Sequence, residues 1–356
     1  MSHGKTYALL LAVICLFTMT GCRGSDQVLL ESQPEDKAEI QIGITFDSYI
    51  IERWIRDRDV FVATASDLGA EVNVQNANGS VDEQESQIEY FIRKQMDVIV
   101  IIAVDCDTLK DAIRSAKNAG IKVIAYDRLI RNADVDLYIS FDNAEVGRLM
   151  GEAIVANLPE GGNVFAINGP TSDNNVLMIE DGFRNTLEGT ELKVVYTDYC
   201  DGWKSDLAFT SLNKGLTLNP DVNAVMCGND DLATQAFRAL AENRLAGSVV
   251  LVGQDADLAA CQRIVEGTQA MTVFKPVDEL AKTAAEYAVI LAKGDVPPQI
   301  KDVINDGSSD VPYYALAPIA VTKENIDEII IDSGFHLRED VYLNVKKTTD
   351  ESGESN

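Results

Sequence analysis

From Ile40 onward, short runs of apolar, β-branched residues alternate with longer stretches in which apolar positions recur every three to four residues. The short runs fall at Ile40–Phe46, Val72–Val74, Val98–Val104, Val123–Tyr126, Leu137–Phe141, Val164–Ile167, Val194–Tyr199, Ala224–Cys227, Val249–Val252 and Met271–Phe274. This alternation predicts a strand–helix–strand chain. The helices have local reasons to form: "DTLKDAIRSAKNAG" opens on Asp107 as the expected N-cap, places Leu109, Ile113 and Ala116 on one face, and stops at Gly120. Strands that are apolar throughout, such as "DVIVIIAV", suit a parallel sheet covered by helices on both faces. So many units exceed one modest sheet, which predicts an α/β protein of two doubly wound, parallel-sheet lobes.

The ends of the chain read differently. Lys5 precedes an apolar run from Ala8 to Phe17 that is too short to span a bilayer and leads into "TMTGC". Small residues before Cys22 resemble a bacterial lipobox, with Met19 where that pattern more often has Leu. Residues 1–22 are therefore expected to be a lipoprotein signal peptide, with Cys22 lipidated. The polar stretch 23–39 is the expected tether, and 341–356, ending "DESGESN", a disordered tail.

Composition narrows the function. The 356 residues carry 57 acidic against 30 basic side chains, a formal net charge of -27, which disfavours a nucleic-acid partner, since phosphate neutralisation needs a basic face. Cys106, Cys200, Cys227 and Cys261 are widely spaced without a CxxC, the pattern of buried free thiols rather than of a metal site.

In open parallel sheets, ligands bind beyond the carboxyl ends of the strands, and there this sequence repeatedly places polar clusters. Asp127-Arg128 follows one strand, "DNN" from Asp173 another, "CDGW" to Trp203 a third, "GNDD" from Gly228 a fourth and "GQDAD" from Gly253 a fifth; Lys275 ends "MTVFK". Singly, each reads equally well as a helix cap or a salt bridge. Together they favour a site, and carboxylates, amides and cations in balance suit a neutral, hydroxyl-rich ligand such as a sugar. Trp54 and Trp203, the chain's two tryptophans, are candidate platforms for the apolar face of a ring, with core packing as the alternative.

Catalytic readings are thin. The two histidines, His3 and His336, offer no triad or metal cluster, and neither GxGxxG nor GxxxxGK[ST] occurs. Counting carboxylates leaves a glycosidase open, although such regular units leave little room for the long loops of its cleft. No enzyme activity, cofactor or metal is expected.

The segments "ERWIRDRDVFV", "AYDRLIRNADVDLYISFDN", "SDNN", "DGW", "GQDADLAACQRIVEGTQAMTVFKP" and "SGFHLRED" together resemble the xylose-binding members of the bacterial sugar-binding family that serves ABC transporters. The likeness runs from about Ile40 to His336. It implies a type I periplasmic binding protein whose lobes, 40–142 with 276–310 and 143–275 with 311–340, are joined by three crossovers near residues 142, 275 and 310. It also implies that Arg53, Asp127, Arg128, Asp173, Asn175, Asn229, Asp255 and Lys275 hydrogen-bond D-xylose or a related monosaccharide, while Trp54 and Trp203 cover its faces. "CGNDDLA" is more acidic than the family's usual segment, and a lipid anchor replaces a free periplasmic form. The implied partner is a membrane ABC permease. A sensor subunit reporting to a membrane histidine kinase is the alternative, and gene neighbourhood separates the two. A sugar-responsive repressor with the same core would open with a DNA-binding helix-turn-helix, where this chain opens with an export signal.

Overall fold

The computed structural model describes residues 40–345. Strands β1 (Ile40–Phe46), β2 (Ala70–Asn76), β3 (Val98–Ile101), β4 (Lys122–Tyr126) and β5 (Leu137–Phe141) are connected through helices α1 (Arg53–Asp67), α2 (Val81–Arg93) and α3 (Lys110–Asn118). The chain then enters a second series: α4 (Asn143–Asn157), β6 (Gly162–Asn168), α5 (Asn174–Leu187), β7 (Leu192–Tyr199), α6 (Asp206–Leu218), β8 (Ala224–Cys227), α7 (Asp230–Glu242), β9 (Val250–Gln254), α8 (Leu258–Glu266) and β10 (Met271–Phe274). It returns through α9 (Val277–Ala292), β11 (Asp302–Asn305) and β12 (Asp310–Leu316), and ends with β13 (Ile319–Val321), a π-helical turn at Asp327–Ile331 and α10 (Arg338–Val341).

Two sheets result, in the orders β11-β12-β5-β4-β3-β1-β2 and β13-β10-β9-β8-β6-β7. All pairings are parallel except the edge pairs β11–β12 and β10–β13. The central strands are buried along their whole length, as strands covered on both faces must be. Helices α2 and α3 close one face of the first sheet over Ile99, Ile101 and Val123, and α4 and α5 pack on the second over Val164, Ala166 and Met226. The α4–α5 crossing is close because Gly147 and Gly182 lack side chains: a Cβ on either would lie 2.0 Å from a carbonyl oxygen of the opposite helix.

The chain passes between the sheets at Asp142, at Lys275–Pro276 and between Leu316 and Ile319. The third passage lies beyond the expected residue 310, because β12 pairs in parallel with β5 and so completes the first sheet. The passages are adjacent, with Asp142 N–H donating to the Leu316 carbonyl at 3.1 Å.

Two local expectations change. Leu109, not Asp107, precedes the first turn of α3, and the Asp107 carboxylate pairs with Arg131 instead. Residues 341–345, expected in a disordered tail, belong to the fold: Val341 is buried and the Tyr342 hydroxyl donates to Asp327 at 2.8 Å. Trp54 lies in the first turn of α1, just past the loop that follows β1. The four cysteines read as buried thiols are buried and unpaired. The signal segment, Cys22 and the tether lie outside the described residues.

Candidate functional site

All ten side chains singled out from the sequence line one cavity between the carboxyl ends of the two sheets. None is more than 7% exposed. From the first sheet come Arg53 and Trp54 at the start of α1 and Asp127 and Arg128 just past β4. The second sheet supplies Asp173 and Asn175 at the start of α5, Trp203 after β7, Asn229 after β8, and Asp255 and Lys275 past β9 and β10. Every element delivers its residue at a strand's carboxyl end, where open parallel sheets hold ligands.

The charges interlock across the cavity. Arg53 is 2.9 Å from Asp127 and 3.1 Å from Asp57, one turn further along α1. Arg128 is 2.9 Å from Asp47 and 2.7 Å from Asp173 on the opposite sheet. Lys275 lies 2.7 Å from Asp255. The adjacent Asp127 and Arg128 are thus not each other's partners, so they do not form the strand-end salt bridge that was the alternative to a binding role. Each finds its counter-charge on another element. A second crossing contact joins the sheets: the Asn175 amide donates to the Asp127 carbonyl at 3.0 Å and to its carboxylate at 3.1 Å.

These environments shift the titrations in opposite directions. Burial alone would push the Asp127 carboxyl up, but Arg53, Lys275 and Arg128 outweigh it and hold it below the usual range. For Asp173 burial wins over Arg128, and the carboxyl is raised. Burial opposes the Arg128 charge, but Asp173, Asp47 and Asp127 more than offset it, so the guanidinium stays protonated.

Helix capping and site building are one arrangement here. Asp173 Oδ1 accepts the Asn175 N–H as the α5 N-cap, which leaves Oδ2 for Arg128 and for the Trp203 indole N–H at 3.2 Å. Asn229 caps α7 through the Leu232 N–H at 2.9 Å. The indoles belong both to the apolar core and to the cavity wall. The Arg53 guanidinium lies 4.4 Å from the Trp54 ring centroid. Trp203 lies against Gly169, where a Cβ would sit 2.4 Å from the indole.

Asp127, Trp203 and Asp255 adopt φ of 64°, 57° and 95°, conformations costly for residues with side chains and concentrated at sites the surrounding fold holds in place. Among the described residues, Arg128 Nη2, Trp54 Nε1, Asp47 Oδ1 and Gln254 Oε1 are buried without a protein partner. Buried polar atoms left unpaired are costly, so this cluster marks where a polar ligand would be held.

Sequence reasoning passed over Ile51, Asn143, Ile179 and Gln254, which also line the cavity, and Asp47, which orients Arg128. Gln254 and Asn143 stand inside the quoted "GQDAD" and "SFDN", and Asp47 follows β1 directly, so the strand-end rule could have found them. A wider groove of about 930 Å³ shares Arg53 and Asp255 with the cavity and is lined by Phe335 and His336. The full set of converging counter-charges lines the smaller space.

Residues 42–295 match the model of the periplasmic binding protein domain family. The chain is 45% identical to a D-xylose-binding periplasmic protein of Haemophilus influenzae, over 85% of this chain and 92% of that one. It is 43% identical to the D-xylose-binding periplasmic protein of Escherichia coli, over 87% and 94%. Among solved structures, an ABC transporter solute-binding protein from Clostridium phytofermentans with bound β-D-glucose superposes with a TM-score of 0.78 at 29% identity, covering 85% of this chain and 99% of that one.

Proposed function

From the premise that this chain belongs to the periplasmic binding protein family, we propose that it captures D-xylose, or a closely related monosaccharide, and delivers it to a membrane ABC transporter. One observation carries the reading: three buried cations interleaved with carboxylates from both sheets around a single cavity faced by two indoles. A sugar hydroxyl donates to a carboxylate and accepts from a guanidinium or ammonium, so this set recognises a ring of hydroxyls without needing net ligand charge. The two relatives named for D-xylose, each above 40% identity, support xylose as the sugar.

The ten cavity residues are assigned to the ligand on that basis: Arg53, Asp127, Arg128, Asp173, Asn175, Asn229, Asp255 and Lys275 to its hydroxyls, Trp54 and Trp203 to its faces. Because these groups come from both sheets, a sugar touching all of them favours the closed arrangement over an open one, by its difference in affinity for the two. Moving such an equilibrium from 1:99 to 99:1 takes about 5.5 kcal/mol. Two to four hydrogen bonds to charged groups, at about 1.5–3 kcal/mol each, supply it. Export, and anchoring through a lipidated Cys22 on the extracytoplasmic side, complete the proposal.

The test is uptake of labelled D-xylose by cells with the gene deleted. Uptake should collapse and return on complementation. Undiminished uptake with a lost transcriptional response to xylose would replace transport by the sensing role, a reading that the comparisons do not favour.

A further inference from the structure

Asp230 is fully buried one residue beyond Asn229, yet it lines no part of the cavity. Three donors converge on its carboxylate: the Thr272 hydroxyl at 2.6 Å and the Asp257 N–H at 3.2 Å on Oδ2, and the Gln269 amide at 2.9 Å on Oδ1. Thr272 Oγ1 in turn accepts the Ala256 N–H at 3.1 Å. Asp230 therefore grips both sides of the turn Asp255–Ala256–Asp257. That turn needs gripping, since Asp255 and Ala256 are consecutive non-glycine residues at φ 95° and 55°. The reason to hold them so is the side chain they present, Asp255, 2.7 Å from Lys275 in the cavity wall.

The fold makes room for this arrangement. A Cβ on Gly253 would lie 2.3 Å from Asp230 Oδ1, so the space beside the carboxylate exists only because β9 carries glycine there. On the far side, Gln269 is itself fixed by Arg263, whose Nε donates to its amide oxygen at 2.9 Å. Gln269 thus spans a buried carboxylate and a buried guanidinium, and its orientation is set from both ends.

We propose that Asp230 is the positioning residue of the sugar site, acting through Thr272 and the strained turn to place Asp255 against the ligand. The inference rests on the sugar-binding reading above. It assigns a binding role to a carboxylate that no sugar touches, and it makes Gly253 and Thr272 parts of the same device.

A double-mutant cycle separates positioning from general stabilisation. The affinities of the wild type, Asp230→Ala, Asp255→Ala and the double variant for D-xylose are read by tryptophan fluorescence, since both tryptophans of the chain line the cavity. Asp230→Ala should weaken binding at least about tenfold in the wild-type background. In the Asp255→Ala background the same change should move affinity less than about threefold, because the group being positioned is gone. Gly253→Ala, which displaces the carboxylate without removing it, should show the same loss and the same silence, and decides the matter if Asp230→Ala does not fold. Thr272→Val should reproduce the loss, and Thr272→Ser, which keeps the hydroxyl, should restore affinity. Equal losses in both backgrounds, or an unchanged affinity in Asp230→Ala, would overturn the proposal. A wild type that binds no sugar would instead overturn the function on which it rests.

Discussion

Replacing Arg128 by alanine removes a side chain that touches carboxylates on both sheets. The guanidinium is 2% exposed and lies 2.9 Å from Asp47, 2.8 Å from the Ala103 carbonyl and 2.7 Å from Asp173. Its two anions are on different bodies, which divides the cost. Asp47 is on the same sheet, so its lost partner is felt with or without ligand and lowers the melting temperature, a broken buried pair costing about 3–5 kcal/mol. Asp173 is on the opposite sheet, so under the proposed open–closed equilibrium that loss falls on closure and enters the binding free energy. Truncating one member of a buried charge pair at an interface costs about 2–5 kcal/mol, or about 30-fold to several thousand-fold in affinity. Asp127→Ala should cost less, toward the lower end of that range, because Arg53 retains Asp57 at 3.1 Å. Arg128→Lys should recover only part of the loss, since an ammonium cannot reach both carboxylates and the carbonyl with a planar fork. Calorimetric titration with D-xylose, alongside thermal melting of each variant, reads both quantities. If Arg128→Ala keeps its xylose affinity and only the melting temperature falls, the residue is architecture and the assignment to the sugar is wrong.

Gly169→Ala places a methyl group against the Trp203 indole and should weaken xylose binding about as much as Trp203→Ala; an unchanged affinity would remove Trp203 from the site. Stability should respond to pH through Asp230, whose carboxyl is raised to about 7 by burial. The folded state then holds that proton more tightly than the unfolded chain, so the group's contribution is lost as pH rises from about 4 to about 7. Asp230→Asn should flatten the fall measured by denaturant unfolding across that window, and an identical slope in the variant would contradict the shift. Cys22→Ala should move the protein from the membrane to the soluble fraction without altering sugar affinity, and unchanged fractionation would rule out lipidation at that residue.

The strands that the sequence placed with correct ends, β1, β5, β8 and β10, are mostly apolar and buried over most or all of their length. The strands it missed are at or next to sheet edges: β11 is largely exposed, β12 carries Pro312 among half-buried residues, and β13 is three residues long. The site was legible because a parallel sheet puts its ligand at one end of every strand, so a polar cluster after each apolar run is a repeated signal. Pairing was not legible in the same way. Asp127 and Arg128 are adjacent in the chain, but their counter-charges, Arg53, Asp47 and Asp173, are brought in by other strands and by the opposite sheet. Asp230 stayed hidden within "GNDD" because only the folded chain sets it beneath the turn that follows β9.

Calorimetry of the purified protein against pentoses, hexoses and amino acids bears most directly on the claim that the cavity is a sugar site. D-xylose should bind saturably, one molecule per chain, and be recovered unchanged, with hexoses weaker and amino acids silent. Tight binding of an amino acid, or no heat with any sugar, would contradict it.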